Sequence, residues 1–249
     1  MITTNDPTDL RSKRTYYLGM ASVALLIVIW GFAPSYYLKS LFQTSSVASP
    51  NGVTRSASTV VRVHAAVFTV WILLFVCQTF LVAIDQTNVH RRLGVGAAVL
   101  ALLMVVLGVS TAIQGGRDNW NPGGPFPDSL SFMAVSLFDI LIFSVFVGCG
   151  LYYRKRTEMH KRLMLLGTIG GLTWPAITRM RYIAPNPPLM FGVLAILILA
   201  LPAHDIWTNR RVHPVSLWGS SLILASFPLR SAIALTSTWH DFAAWLVRF

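Results

Sequence analysis

Seven long apolar runs divide this chain of 249 residues, at about 16 to 33, 59 to 84, 93 to 113, 131 to 153, 163 to 178, 188 to 204 and 215 to 236. Each is close to the ~20 residues that a helix needs to cross the hydrocarbon of a bilayer. Backbone amides inside a membrane must find their partners within the segment or within a closed barrel. Runs of this length therefore predict an all-α, polytopic helix bundle of about seven transmembrane helices. Composition agrees: 54% hydrophobic residues, 12% charged residues and a mean hydropathy of +0.60 leave too little polar surface to cover a soluble globule.

The net charge of +11 would suggest nucleic acid in a soluble protein. Here the basic residues gather at the ends of apolar runs, where they set topology and meet anionic head groups, so no nucleic-acid partner is expected. With the N-terminus in the cytosol, the inner loops hold Arg11, Lys13, Arg14, Arg91, Arg92, Arg154, Lys155, Arg156, Lys161, Arg162, Arg210 and Arg211. That is twelve of the twenty basic residues, the asymmetry of a positive-inside protein. The expected divisions are a cytoplasmic tail over 1–14, the transmembrane bundle over 15–236 and an interfacial tail over 237–249. The tail spaces Trp239, Phe242, Trp245, Leu246 and Phe249 almost helically, as an aromatic anchor in the interface would. The first run is too long for a signal peptide and reads as an uncleaved helix.

Two turns share one pattern. Val89-His90-Arg91-Arg92-Leu93-Gly94 joins the second and third runs, and Met159-His160-Lys161-Arg162-Leu163-Met164 joins the fourth and fifth. Both mark cytoplasmic ends of a hairpin. The segments 35–58 and 114–127 fall on the other side as outer loops, the second broken by Gly and Pro on either side of Trp120. Cys77 and Cys149 lie within apolar runs, which predicts packing roles and no structural disulfide.

Ionisable residues inside a membrane are costly and mark sites by default. Counted inward at about 1.5 Å per residue, His64, Asp139 and Arg230 reach a similar depth on the outer side, with Arg179 and Arg181 at the outer end of the fifth run. These five predict an outward-facing polar pocket. Surplus arginine favours an anionic or carbonyl-bearing ligand, and a helix-locking Asp–Arg pair is the structural alternative. A second group, His90, His160, His204 and His213, gathers at the cytoplasmic ends with Asp85, Glu158 and Asp205 nearby. It is a candidate set for haem b or a metal, although no compact ligand motif is present and arginines flank it. The four lysines, Lys13, Lys39, Lys155 and Lys161, all lie in loops or at run ends, so a retinal Schiff base is excluded.

Arg62-Val63-His64 with Trp71 and Gln78, the two His-basic turns, and Arg211-Val212-His213-Pro214 together resemble a group of bacterial multi-pass inner-membrane proteins with no assigned activity. A fainter similarity is to membrane-bound b-type cytochromes. The first resemblance implies a bacterial inner-membrane location. The sequence expectation is thus an integral membrane protein that binds or passes a small ligand or proton, or serves as an accessory subunit of a membrane complex. The alternatives are a haem-carrying electron-transfer protein and a metal-dependent intramembrane hydrolase.

Overall fold

The computed structural model describes residues 7–38, 58–120 and 126–248. They are helical throughout, with no strand among them. In chain order the helices are α1 (Pro7–Phe32), α2 (Thr59–Ala83), α3 (Thr87–Arg117), α4 (Ser129–Tyr152), α5 (Thr157–Ile177), α6 (Pro187–Asn209), α7 (Pro214–Ala234) and a short α8 (Ser237–Leu246). Six of them, α1 to α4, α6 and α7, are long and apolar enough to span a membrane. The protein is an integral membrane helix bundle.

Local chemistry explains the boundaries. Asp128 caps α4 by accepting from the Ser131 amide (2.8 Å), Asn186 caps α6 through Leu189 (3.1 Å) and Thr236 caps α8 through Trp239 (3.2 Å). Each satisfies a backbone donor that the first helical turn leaves over. Pro187 and Pro214 open α6 and α7, where the missing amide costs nothing. Arg210, in left-handed conformation (φ 56°), ends α6. At the far end of α1, Pro34 cannot continue the α-helical ladder, and the chain widens into a π-helical turn over Ala33–Tyr37. The Tyr37 hydroxyl, bonded to Thr69 Oγ1 at 2.8 Å, ties that turn to α2. Most of segment 35–58 and residues 121–125, both expected as outer loop, lie outside the described residues.

Helix α5 is the centre of the bundle. Buried residues occur on every side of it from Arg162 to Ile177, and α1, α4, α6 and α7 pack around it. Small residues permit that crowding. A Cβ on Gly31 of α1 would collide with the Ala176 backbone, and one on Gly171 would meet Phe143 Cβ at 2.7 Å. Because protein rather than lipid surrounds α5, its sequence is free to carry Thr157, Glu158, Lys161 and Arg162, which keep it below the apolarity of its neighbours. On the outside, α3 presents Val95, Val99, Leu102 and Val106 away from the bundle. Exposed Tyr152, Trp207 and Trp218 ring the end that carries the basic turns, while exposed Trp30, Tyr182 and Trp245 ring the opposite end. Two such belts are what a bilayer's two interfaces select.

Three expectations need correction. Cys77 and Cys149 are both exposed free thiols rather than packing residues, because each sits on the outward stripe of its helix. Helix α3 continues through Gln114 to Arg117, so the outer loop starts only at Asp118, its first glycines being absorbed into a helix that α4 and α8 pack against. The C-terminal tail does more than anchor. Ala243 is fully buried, Trp239 Nε1 donates to the Leu130 carbonyl (2.8 Å) and Arg117 Nε to the Val247 carbonyl (2.8 Å), so α8 clasps α3 and α4.

The α1–α5 contact predicts a sharp asymmetry. Gly31→Val should lower stability by about 1 to 3 kcal/mol through overpacking, whereas Gly96→Val, with open space around it, should stay within about 0.5 kcal/mol. Thermal melts of the two purified variants in detergent check this.

Candidate functional site

Two buried ion pairs hold the bundle at its two ends. Near the end opposite the basic turns, Arg230 of α7 (1% exposed) donates through Nη1 to Asp139 Oδ1 of α4 (4% exposed) at 2.5 Å. Its other donors turn back on α7, Nη2 to Ser226 Oγ (2.9 Å) and Nε to the Ser226 carbonyl (3.3 Å). The guanidinium also lies 3.9 Å from the Phe227 ring centroid. Asp139 and Arg230 thus complete each other's needs, and the structural alternative describes them: they lock α4 to α7.

In the other pair, sequence puts Arg162 among the loop charges and Asp205 beside the candidate histidines, and does not join the two. Arg162 of α5 (2% exposed) reaches Asp205 of α6 (0% exposed) with Nη2 to Oδ1 at 2.5 Å and Nε to Oδ2 at 3.3 Å. Ser216 of α7 joins both, accepting from Arg162 Nε (3.1 Å) and donating to Asp205 Oδ2 (2.5 Å). Glu158 takes the remaining Nη1 proton at 2.5 Å, and the His213 amide donates to Asp205 Oδ2 at 3.2 Å. The signal available beforehand was spacing. Positions 158 and 162 share one helical face, and a carboxylate at the very end of a neighbouring apolar run has little reason to be there unless a cation meets it.

The four histidines expected at the end of the basic turns part company. His204 stacks on the Tyr16 ring at 3.7 Å. His213 caps α7, its Nδ1 accepting from the Val215 amide (3.1 Å). Burial, and after it the Arg162 charge, hold its pKa below the usual imidazole range, so the neutral ring is available as acceptor. His90 and His160 do meet, with ring centroids 6.2 Å apart and planes near perpendicular. His160 Nδ1 bonds the Gly150 carbonyl (2.7 Å), so the proton sits there and Nε2 is the basic nitrogen. Buried Gln78 fixes the other ring. Its contacts are favourable when the amide nitrogen donates to His90 Nδ1 (2.7 Å) and the His90 carbonyl (3.2 Å) and its oxygen accepts from the Gly94 amide (3.1 Å). The His90 proton is therefore on Nε2, the nitrogen an axial haem ligand has to leave bare. These residues do not fit a bis-histidine haem, and no group of three or more metal-ligating side chains occurs among the described residues.

Of the outer candidates, His64 stacks on Phe68 (4.0 Å) and bonds Thr111 Oγ1 of α3 through Nδ1 (3.2 Å). The Thr111 hydroxyl also reaches the Leu107 (2.9 Å) and Gly108 (3.0 Å) carbonyls, so its one proton goes to a carbonyl and His64 Nδ1–H is the donor. Arg179, just past α5, places its guanidinium 4.8 Å from the Phe32 ring centroid and donates to the Pro175 carbonyl (2.6 Å). It is half-buried, acts electrostatically on His64, and has no carboxylate partner among the described residues. Arg181 is exposed beyond it. The structure thus joins Asp139 with Arg230 and sets His64 and Arg179 within electrostatic range of each other. No protein family, curated protein or solved structure matches this chain.

Outside the spans, His240 of α8 donates through Nε2 to Asp128 Oδ2 (3.1 Å) while Nδ1 faces the Thr236 carbonyl (2.9 Å). Acceptors at both nitrogens, first the Thr236 carbonyl and then Asp128, raise the His240 pKa, and hydrogen bonds from Ser131 and His240 lower that of Asp128 against the opposing pull of burial.

Two predictions follow from these contacts. Asp139→Asn should leave the Arg230 charge uncompensated in the interior and cost about 3 to 5 kcal/mol, read as a fall in melting temperature; the double replacement Asp139→Leu with Arg230→Met should regain most of it. The clasp of α8 has a pH window. A raised His240 pKa stabilises fully below about pH 6.5 and is lost as pH rises through the folded value, while the lowered Asp128 value is lost only in acid. Amide protection in α8, corrected for the intrinsic base-catalysed exchange rate, should therefore fall as pH rises above about 6.5, and Asp128→Asn, which keeps the helix cap, should flatten that fall.

Proposed function

We propose that the chain is a seven-span protein of the bacterial inner membrane, N-terminus in the cytosol, that binds or passes a small anionic or carbonyl-bearing ligand at a polar pocket on its outer face. The seventh span is α5, which runs about 30 Å between the same two ends as its neighbours and is shielded from lipid by them. The cytosolic assignment of the end bearing His90, His160 and Arg210 rests on its basic residues, and the bacterial location on the motif resemblance.

Arg179 carries the ligand reading. A half-buried guanidinium that meets an aromatic face and one carbonyl, with several N–H groups left to aim, is arranged to receive acceptor oxygens from outside the chain. His64 stands near it as a polar neighbour of the same region. Asp139 and Arg230, committed to each other, support the pocket wall by holding α4 against α7, and exposed Arg181 sits where it would attract an anion toward the opening.

Melting the purified full-length protein with chloride, phosphate or benzoate as probes tests this reading. At concentrations about 10 to 100 times the dissociation constant, a bound probe adds about 1.4 to 2.7 kcal/mol, and Arg179→Gln should remove that gain while melting normally without probe. An equal gain in both proteins, or none with any of the three probes, would retire the pocket.

A further inference from the structure

Polar residues recur along α2 at every seventh position: His64, Trp71 and Gln78. Seven residues advance a helix by nearly two turns, so the three share one stripe, about 10 Å apart. The structure turns that stripe inward against α3. His64 bonds Thr111, Trp71 packs among Ala97, Ala101 and Met104, and Gln78 bonds His90. A matching stripe runs along α5. His160 meets His90, and Met164 and Leu172 belong to the same packed seam as Trp71. Thr168 lies one turn from each of those two.

The middle of this seam holds an anomaly. Trp71 Nε1 and Thr168 Oγ1 are buried, at 2% and 0% residue exposure, and neither makes a hydrogen bond to any described residue. A threonine inside a helix has the carbonyl four residues back within easy reach, as Thr69, Thr111 and Thr173 demonstrate. Thr168 does not use it. Each orphan stands about 10 to 12 Å along its helix from the Gln78, His90 and His160 cluster, which puts the two at one depth. Leaving two donors unpaired in hydrocarbon costs each its desolvation free energy. An ordered water with partners on both helices removes that cost.

We propose that the α2–α3–α5 seam is a proton-conducting track, in which water held by Trp71 Nε1 and Thr168 Oγ1 links His64 on one side of the membrane to His90 and His160 on the other. The terminal groups suit proton passage. His160 keeps its Nδ1 proton on Gly150 O, accepts an incoming proton at Nε2 and releases that same proton to the water chain, so the ring returns to its neutral state. His64 likewise holds Nδ1–H on Thr111 and exchanges a proton at Nε2. Beside His160, His90 offers Nε2–H to the chain as a donor. No bond other than N–H and O–H forms or breaks, and the driving force is the proton gradient or membrane potential itself. The outer terminus, His64, is shared with the anion pocket, but the track needs no ligand there.

Proton flux into liposomes carrying the full-length protein and an enclosed pH dye, driven by a potassium diffusion potential, tests the track. Wild-type protein should conduct above protein-free vesicles, and Thr168→Val, which keeps shape and removes the hydroxyl, should lower the rate about 100-fold; Trp71→Phe and His160→Gln should act in the same direction. Thermal melts supply the second reading. If the hydroxyl holds water, Thr168→Val leaves stability unchanged or lower, whereas removing a hydroxyl that holds nothing raises it. Flux equal to that of empty vesicles, or a Thr168→Val protein that conducts as wild type and melts higher, overturns the proposal. Loss of the anion-induced gain in melting temperature in Arg179→Gln reads the pocket and loss of flux in Thr168→Val reads the track, so the two proposals fail separately.

Discussion

A charge carried into hydrocarbon has to bring its counter-charge with it, and two such pairs set the plan of this bundle. Arg162 with Asp205 joins α5 to α6, and Arg230 with Asp139 joins α7 to α4. Helix α7 takes part in both. Ser216 enters the first pair and Arg230 the second, and the 14 residues between them are close to four turns, so one face of α7 is held at both ends. Midway between, buried Ile223 packs over Gly170 of α5. The central helix is thus gripped from three directions, and small residues at the crossings let the grips close.

That arrangement gives a physical meaning to the repeated His-basic-Arg-Leu turns. On α5, His160 and Arg162 are two residues apart and point to opposite sides of the helix. The histidine faces α3 and the polar seam; the arginine faces α6 and the ion pair. At the first turn the same letters have half of this role. His90 faces inward to Gln78 and His160, whereas Arg91 and Arg92 are exposed. Helix α3 lies at the edge of the bundle with no neighbour beyond it among the described residues, so an arginine there has water and head groups instead of a carboxylate.

Polar groups divide accordingly into those that find their partners among the described residues and those that do not. Asp139, Arg230, Asp205, Ser216 and Arg162 belong to the first kind. Arg179, Trp71 and Thr168 belong to the second, and the functional proposals rest on them. Sequence groups His64, Asp139 and Arg230 by depth alone, with Arg179 and Arg181 at the end of the fifth run, which is as far as counting along a helix can go. Depth is a one-dimensional coordinate; partnership also needs the rotation of each helix about its axis.

Membrane class, the approximate placement of the spans and the cost of intramembrane charge were legible in the residues, because chain length, hydropathy and charge placement act one segment at a time. His64, Asp139 and Arg230 stood out for the same reason. Hydropathy could not tell that Arg162 is core rather than loop, since a segment surrounded by other helices is freed from the apolar rule by which spans are recognised. Nor could it tell that Cys77 and Cys149 face outward, because an apolar side chain suits lipid and protein interior equally well. The sequence by itself determined that the chain lives in a bilayer and which residues are expensive there. Only the tertiary structure decided which of those expensive residues pay for each other, because ion pairing and hydrogen bonding depend on distances of a few ångströms between helices that are far apart in the chain.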